Sequence, residues 1–220
     1  MSGTQRYFER VPDRWDALYS HENLPKYLLN RTLRSGLYER HRFAFEQAGD
    51  LAGASVLDLG CGSGRYSIES AKRGAKRVVG IDFAPAMLTF ARDIAGQEGV
   101  ADRCEFIEGD VLADVPDEHF DVVLALGLFD YIRDAAPLFE RVARLQPHVF
   151  VASFPRFTPF WGSQRLVRYY LIKKVPIYNY KRSQVAALCR QAGFANTLIT
   201  EGKRGLMCAA GSGTPASSAP

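Results

Sequence analysis

Residues 55–67 read SVLDLGCGSGRYS. A short apolar run reaches an acid at Asp58. Glycines follow at positions 60, 62 and 64, and a stretch with helical character begins at Arg65. A β-rich run that turns through glycines into a helix is the first unit of an α/β sheet. In such sheets ligands bind at the carboxyl ends of the strands. Glycine lets backbone N–H groups come close to a ligand, because it carries no Cβ. The spacing then narrows the ligand. A dinucleotide fingerprint GxGxxG counted from Gly60 needs its third glycine at position 65, where Arg65 stands instead, and Gly64 arrives one residue early. A phosphate loop, GxxxxGK[ST], is absent. The turn is therefore expected to hold something other than a pyrophosphate.

Working outward, residues 5–19 and 24–48 read as helices, with Tyr7, Phe8, Trp15, Leu18 and Tyr19 supplying apolar positions. Strands are predicted at 55–60, 77–82, 104–110, 120–127 and 148–154. The helices between them are predicted at 65–74, 84–99 and 135–145, the first closed by Gly74 and the second opened by Pro85. Later, Ser183 is read as the N-cap of a helix that stops at Gly193. Runs at 196–201 and 205–211 flank a short turn and read as a hairpin. Strands alternating with helices predict a doubly wound, mostly parallel, seven-stranded α/β sheet of Rossmann-like type. The C-terminal hairpin adds an antiparallel edge, and a helical cap covers the ligand end. One domain over 1–210 is expected, with N-terminal cap helices in 1–48, a cap insertion in 154–182 and a disordered tail in 211–220.

Two further acids sharpen the pocket. Asp82 closes the second strand, 22 residues after Gly60, where a carboxylate accepts both hydroxyl protons of a ribose. Asp110 closes the third, placed to meet an adenine amino group. Any one of these acids is explained as readily by loop capping, since turns favour Asp. Three of them at successive strand ends, beside a glycine turn, describe a pocket for a nucleoside without a bound pyrophosphate.

The stretches VLDLGCGSGRYS, VVGIDFAPAML, FIEGDVLADVPDEHFDVVLALGLFDYI and AALCRQAGF resemble the motifs of class I S-adenosylmethionine-dependent methyltransferases. The resemblance covers residues 50–210. It implies S-adenosylmethionine as cofactor, with Gly60, Gly62 and Gly64 beneath its methionyl part and Asp58 ordering the amino end. It further implies Asp82 on the ribose, Phe83 and Met87 beside the adenine, Asp110 and Val111 at the adenine edge, and Leu126 along the methionine channel.

Methyl transfer from a sulfonium needs no metal, and none is expected. A base is required only when the acceptor bears a proton of high pKa. His119 and His148 precede the fourth and fifth strands, so they fall at the far end of the sheet; His41, late in its helix, is expected to be remote as well. Asp130, Tyr131 and His21 remain as catalytic candidates, although Tyr131 is also read as a packing aromatic and His21 as a surface residue. In the cap insertion, Arg165 and Arg168 share one helical face with Trp161 and Ile172, which suggests a lid for an anionic or amphiphilic acceptor; Tyr131 is a second acceptor contact. An ordinary packing helix accounts for the same pattern.

The charge distribution bears on partners. Up to Glu140 there are 16 Lys/Arg against 23 Asp/Glu; beyond it, 12 stand against the single acid Glu201. A basic half suits an anionic acceptor, a peripheral membrane contact or merely solvent. No apolar run reaches the roughly 18 residues of a membrane span. Four dispersed cysteines without a CxxC pair suggest reduced thiols and a cytoplasmic location. The expected function is methyl transfer to an O, N or C atom of a small molecule. The rivals are a nucleic-acid (RNA) methyltransferase and a membrane-surface protein that keeps the cofactor fold. Against the first, no Asn/Asp-Pro-Pro-Tyr segment follows the fourth strand, so no nucleic-acid partner is expected.

Overall fold

The computed structural model describes residues 35–156, 176–203 and 205–211. The expected helix at 5–19, the beginning of the helix at 24–48, His21, Arg165, Arg168 and residues 212–220 lie outside them. The described chain runs α1 (Ser35–Ala48), β1 (Ser55–Leu59), α2 (Arg65–Lys72), β2 (Arg77–Asp82), α3 (Pro85–Gln97) and β3 (Cys104–Glu108). It continues through β4 (Val122–Leu126), α4 (Ala136–Arg144), β5 (Val149–Pro155), α5 (Arg182–Gln191), β6 (Asn196–Gly202) and β7 (Gly205–Gly211). The strands form one sheet in the order β3-β2-β1-β4-β5-β7-β6. The order reverses between β1 and β4, which pair in parallel with Val56 beside Val122. That switch point opens a crevice at the carboxyl ends of the strands.

Strand alternation explains why helices cover both faces. In β1 and β2, Leu57, Leu59, Val79 and Ile81 face one core, which α4 and α5 close with Leu138, Phe139, Val142 and Val185. Val56 and Val78 face the other, closed by α1, α2 and α3 through Phe43, Phe45, Ile68 and Leu88. The central strands are buried on both sides, hence their unbroken apolar sequences. Phe129 stacks on Phe154 at 4.4 Å and fixes the segment after β4 against β5.

The C-terminal hairpin forms the expected antiparallel edge of the sheet; within it β7 lies between β5 and β6 and pairs antiparallel with both, leaving β6 outermost. The tight turn brings β7 back over β5, where Leu206 and Cys208 are buried. One sequence expectation shifts: Ser183 is not the N-cap. The helix begins at Arg182 with Lys181 as its cap, because the Gln184 side-chain oxygen accepts the Lys181 N–H at 2.8 Å. Gly193 ends that helix with φ +83°, as expected.

Candidate functional site

The glycine turn joins β1 to α2 at the switch point. The Gly60 and Cys61 N–H groups both donate to Ile81 O of β2, at 2.8 and 3.0 Å, so the turn leans onto its neighbouring strand. The Gly62 N–H donates to the Asp82 carboxylate at 2.9 Å. All three turn glycines have φ between +53° and +72°, a region costly for other residues. Their surroundings separate their roles. A Cβ on Gly64 would lie 2.9 Å from Ala91 Cβ and 3.0 Å from Phe106 Cζ, and one on Gly60 would lie 2.9 Å from Leu128 Cδ1. A Cβ on Gly62 would meet only Met87 Cε, at 3.6 Å. Gly64 is thus required by packing, whereas Gly62 borders open space.

The three acids also divide. Asp82, the last residue of β2, is 8% exposed and takes the Ala84 N–H at 3.0 Å as well as that of Gly62. Burial raises its pKa and the backbone donors pull it back. The Phe83 N–H bonds this carboxylate too, so of its about four acceptor sites one is left for a ribose hydroxyl. Asp110 is exposed and opens a turn after β3, accepting the Leu112 N–H at 2.9 Å. Asp58 is 1% exposed and accepts the Ser67 hydroxyl at 2.6 Å, a bond that ties β1 to α2 beneath the turn. Desolvation, partly offset by Ser67, pushes its pKa up to about 7.

That shift gives a testable sign. A raised carboxylate pKa means that the folded state holds the proton more tightly than the unfolded one. Stability is therefore lost as pH rises from the ordinary value of 3.8 through about 7. Ser67 limits the loss by donating to the ionised form. Ser67→Ala should cost about 1–3 kcal/mol, and more at pH 8 than at pH 5, in urea unfolding at the two pH values. An equal cost at both would show that the hydroxyl does not serve the charge.

A residue that sequence reasoning missed completes the crevice. Arg40, on α1, reaches across the carboxyl ends of β4 and β5. Its Nη1 donates to Ser153 Oγ at 3.3 Å and stands 2.9 Å from where a Cβ on Gly127 would be. It also bonds the Tyr66 hydroxyl of α2. Its Nε is buried without a hydrogen-bond partner, and no carboxylate pairs with it among the described residues. Two signals in the sequence pointed there: a glycine directly after β4, and a serine inside the apolar run of β5.

The remaining candidates fall as follows. Met87, Val111 and Leu126 are buried and Phe83 is half-buried. Asp130 and Tyr131, both half-buried, lie on the turn after β4, at the crevice end. The Asp130 carbonyl accepts the Tyr178 N–H at 3.0 Å, and Tyr180 donates to Ile132 O at 2.5 Å. Tyr178 and Tyr180 are thereby pinned beside this turn. His119 and His148 sit at the opposite end of the sheet, as expected. His41 packs instead on Phe45 and Tyr66, with ring centroids 4.8 and 5.8 Å away. Burial, and Arg65 after it, lower its pKa.

Residues 56–147 match the family described as "Methyltransferase domain". A ubiquinone biosynthesis O-methyltransferase of Neisseria meningitidis is 34% identical over 154 residues, 66% of this chain and 65% of that protein. Residues 56–147 thus form a methyltransferase domain, and the chain is similar to the class I S-adenosylmethionine-dependent methyltransferases. A ribosomal protein L11 methyltransferase of Aeromonas hydrophila is 47% identical over 90 residues, 40% of this chain and 30% of that protein. The alignments thus span less than two thirds of these relatives. The fold is that of the magnesium protoporphyrin IX methyltransferase of Synechocystis, solved with bound S-adenosylhomocysteine: TM-score 0.72 over 95% of this chain and 98% of that one, at 22% identity.

The residues at the crevice of this chain fit that family's cofactor. Gly62 leaves room against the turn, and Asp82 offers an acceptor to a ribose hydroxyl. Arg40 offers guanidinium Nη donors to a carboxylate.

Proposed function

We propose that this protein transfers a methyl group from S-adenosylmethionine to a small organic acceptor of anionic or amphiphilic character. The observation that carries the reading is the ring of Gly62, Asp82 and Arg40 around the switch-point crevice. When bound there, the cofactor would supply a methyl group on a positively charged sulfur, passed in line to a lone pair of the acceptor as the carbon–sulfur bond breaks and the neutral thioether S-adenosylhomocysteine leaves. The chain's own part is alignment. Asp82 holds the ribose end, the Gly62 backbone allows close approach, and Arg40 clamps the carboxylate of the amino-acid end. Asp130 and Tyr131, on the turn after β4, are the acceptor contacts of this reading, and Arg165 and Arg168 are its candidates for an anionic acceptor group. Well-oriented reactants reach effective molarities of about 10⁵–10⁸ M, so positioning and exclusion of water account for much of the acceleration.

A small acceptor is supported by the longer alignments. The relative matched over 154 residues is named for ubiquinone biosynthesis, and the neighbour covering 95% of the chain for magnesium protoporphyrin IX. The protein-methylating relative aligns over only 90 residues. The test is transfer of labelled methyl from S-adenosylmethionine into a metabolite extract, read by mass spectrometry, with total RNA and ribosomal protein as parallel acceptors. Label entering only RNA or protein would overturn the small-molecule reading.

The role given to Arg40 has its own test. Arg40→Met should weaken S-adenosylhomocysteine about tenfold or more, given about 1.5–3 kcal/mol for a charge-assisted hydrogen bond. It should leave 5′-methylthioadenosine, which lacks the amino-acid end, bound as in the wild type. Equal weakening of both ligands would mean that Arg40 only supports the fold.

A further inference from the structure

We propose that His119, Asp121 and His148 form a binding site for a borderline divalent metal ion, with zinc as the type, at the end of the sheet opposite the cofactor crevice. The placement follows from the strand registers. Asp121 and His148 each immediately precede a strand, and β4 and β5 pair in parallel with Val122 beside Val149. The two residues therefore emerge side by side, and the His148 N–H donates to Asp121 O at 2.9 Å. His119 lies two residues before Asp121. With Phe120 between them fully buried, their side chains share the outer side.

The three ligand atoms cluster closely enough for small side-chain rotations to bring them onto one ion. His119 Nε2 and His148 Nδ1 lie 3.5 and 3.6 Å from Asp121 Oδ1, and all three atoms lie within 4.8 Å of one another. Both separations exceed the usual hydrogen-bond range of about 2.7–3.2 Å. They approach instead the ligand-to-ligand edge of about 3.3 Å that follows from metal–ligand bonds of about 2.0–2.1 Å in a tetrahedron.

The surrounding contacts orient the set as metal ligands are oriented. Asp121 Oδ2 is occupied by the Ser55 N–H and hydroxyl, both at 2.7 Å, which leaves Oδ1 turned to the imidazoles. His119 Nδ1 lies 3.1 Å from Leu145 O. A carbonyl only accepts, so Nδ1 carries the proton and Nε2 presents its lone pair toward the site. Two imidazole nitrogens and one carboxylate oxygen suit zinc and its borderline neighbours far better than magnesium or calcium. Three protein ligands leave a coordination position for water or an anion. A bound ion would brace the starts of β4 and β5.

The experiment titrates zinc alone, by calorimetry, into chelator-treated full-length protein. Cobalt(II) absorption then reports the ligand set, and thermal midpoints are read with and without zinc. One zinc per chain is expected, with a raised midpoint. The His119 and His148 side chains are 53% and 77% exposed, so His119→Gln and His148→Gln should fold as the wild type. Each should bind zinc at least about tenfold more weakly, by comparison with the 10–100-fold lost when even an outer-shell partner is removed. S-adenosylhomocysteine affinity should not change with zinc or in either variant. No binding at submillimolar zinc would overturn the proposal. So would undiminished binding in the double variant, which would put the metal on the cysteines or on His21.

Discussion

Asp82→Ala is expected to weaken S-adenosylhomocysteine binding by about tenfold or more. A charged carboxylate with one acceptor site left for a ribose hydroxyl loses a charge-assisted hydrogen bond of about 1.5–3 kcal/mol. At about 1.4 kcal/mol per factor of ten, that is roughly 10–10² in affinity. A second effect adds to the first, since the same carboxylate accepts the Gly62 and Ala84 N–H groups that shape the turn. Asp82→Asn separates the two: one oxygen survives, but the amide's own donors now face backbone N–H groups. Burial raises the Asp82 pKa above its ordinary value, so wild-type affinity should fall as the pH drops through that raised value, because the ionised carboxylate is the stronger acceptor for a ribose hydroxyl. Calorimetry against pH reads this directly, with circular dichroism as the check on folding. An Ala variant that binds as the wild type would remove Asp82 from the ribose.

Much of the sheet could be read because its signals are local. Residues 77–82 and 205–211 form strands with the expected bounds, since their apolar runs end at glycines or turns. The turn glycines and Asp82 could be read because backbone geometry leaves a residue-level trace. What could not be read depended on distant partners. The position of β7 between β5 and β6 is a choice between two strand pairings that the hairpin sequence permits equally. Asp58 was grouped with the open acids, yet it is sealed at 1% exposure against Ser67, and burial of that kind follows from α2 lying over β1. Arg40 escaped because α1 crosses to β5 and Ser153, 113 positions along the chain. Its helix alone gives an arginine no distinction from its exposed neighbour Arg42. The histidines were correctly set apart from the crevice, but their convergence on Asp121 needed the register of β4 against β5.

The turn glycines yield the other large effect, as a contrast between neighbours. Gly62→Val and Gly64→Val impose a similar backbone penalty, since both positions have positive φ, +53° and +72°. A residue with a Cβ pays about 1–2 kcal/mol there. Beyond that the two should diverge. At Gly64 the new Cβ would lie 2.9 Å from Ala91 and 3.0 Å from Phe106, on α3 and β3, both packed in the core. Neither can retreat without opening the core, and overpacking of this kind costs about 1–3 kcal/mol more. Gly64→Val should therefore show a large loss of urea stability, and any loss of binding should follow from unfolding. At Gly62 only Met87 Cε lies near, at 3.6 Å, so the fold should lose little beyond the strain. The valine methyls would instead fill the space that the bare backbone leaves for the methionyl part of the cofactor. Gly62→Val should abolish S-adenosylhomocysteine binding in a protein whose far-ultraviolet circular dichroism remains near native. If Gly62→Val kept its affinity while Gly64→Val remained folded and failed to bind, the cofactor would lie against the other end of the turn.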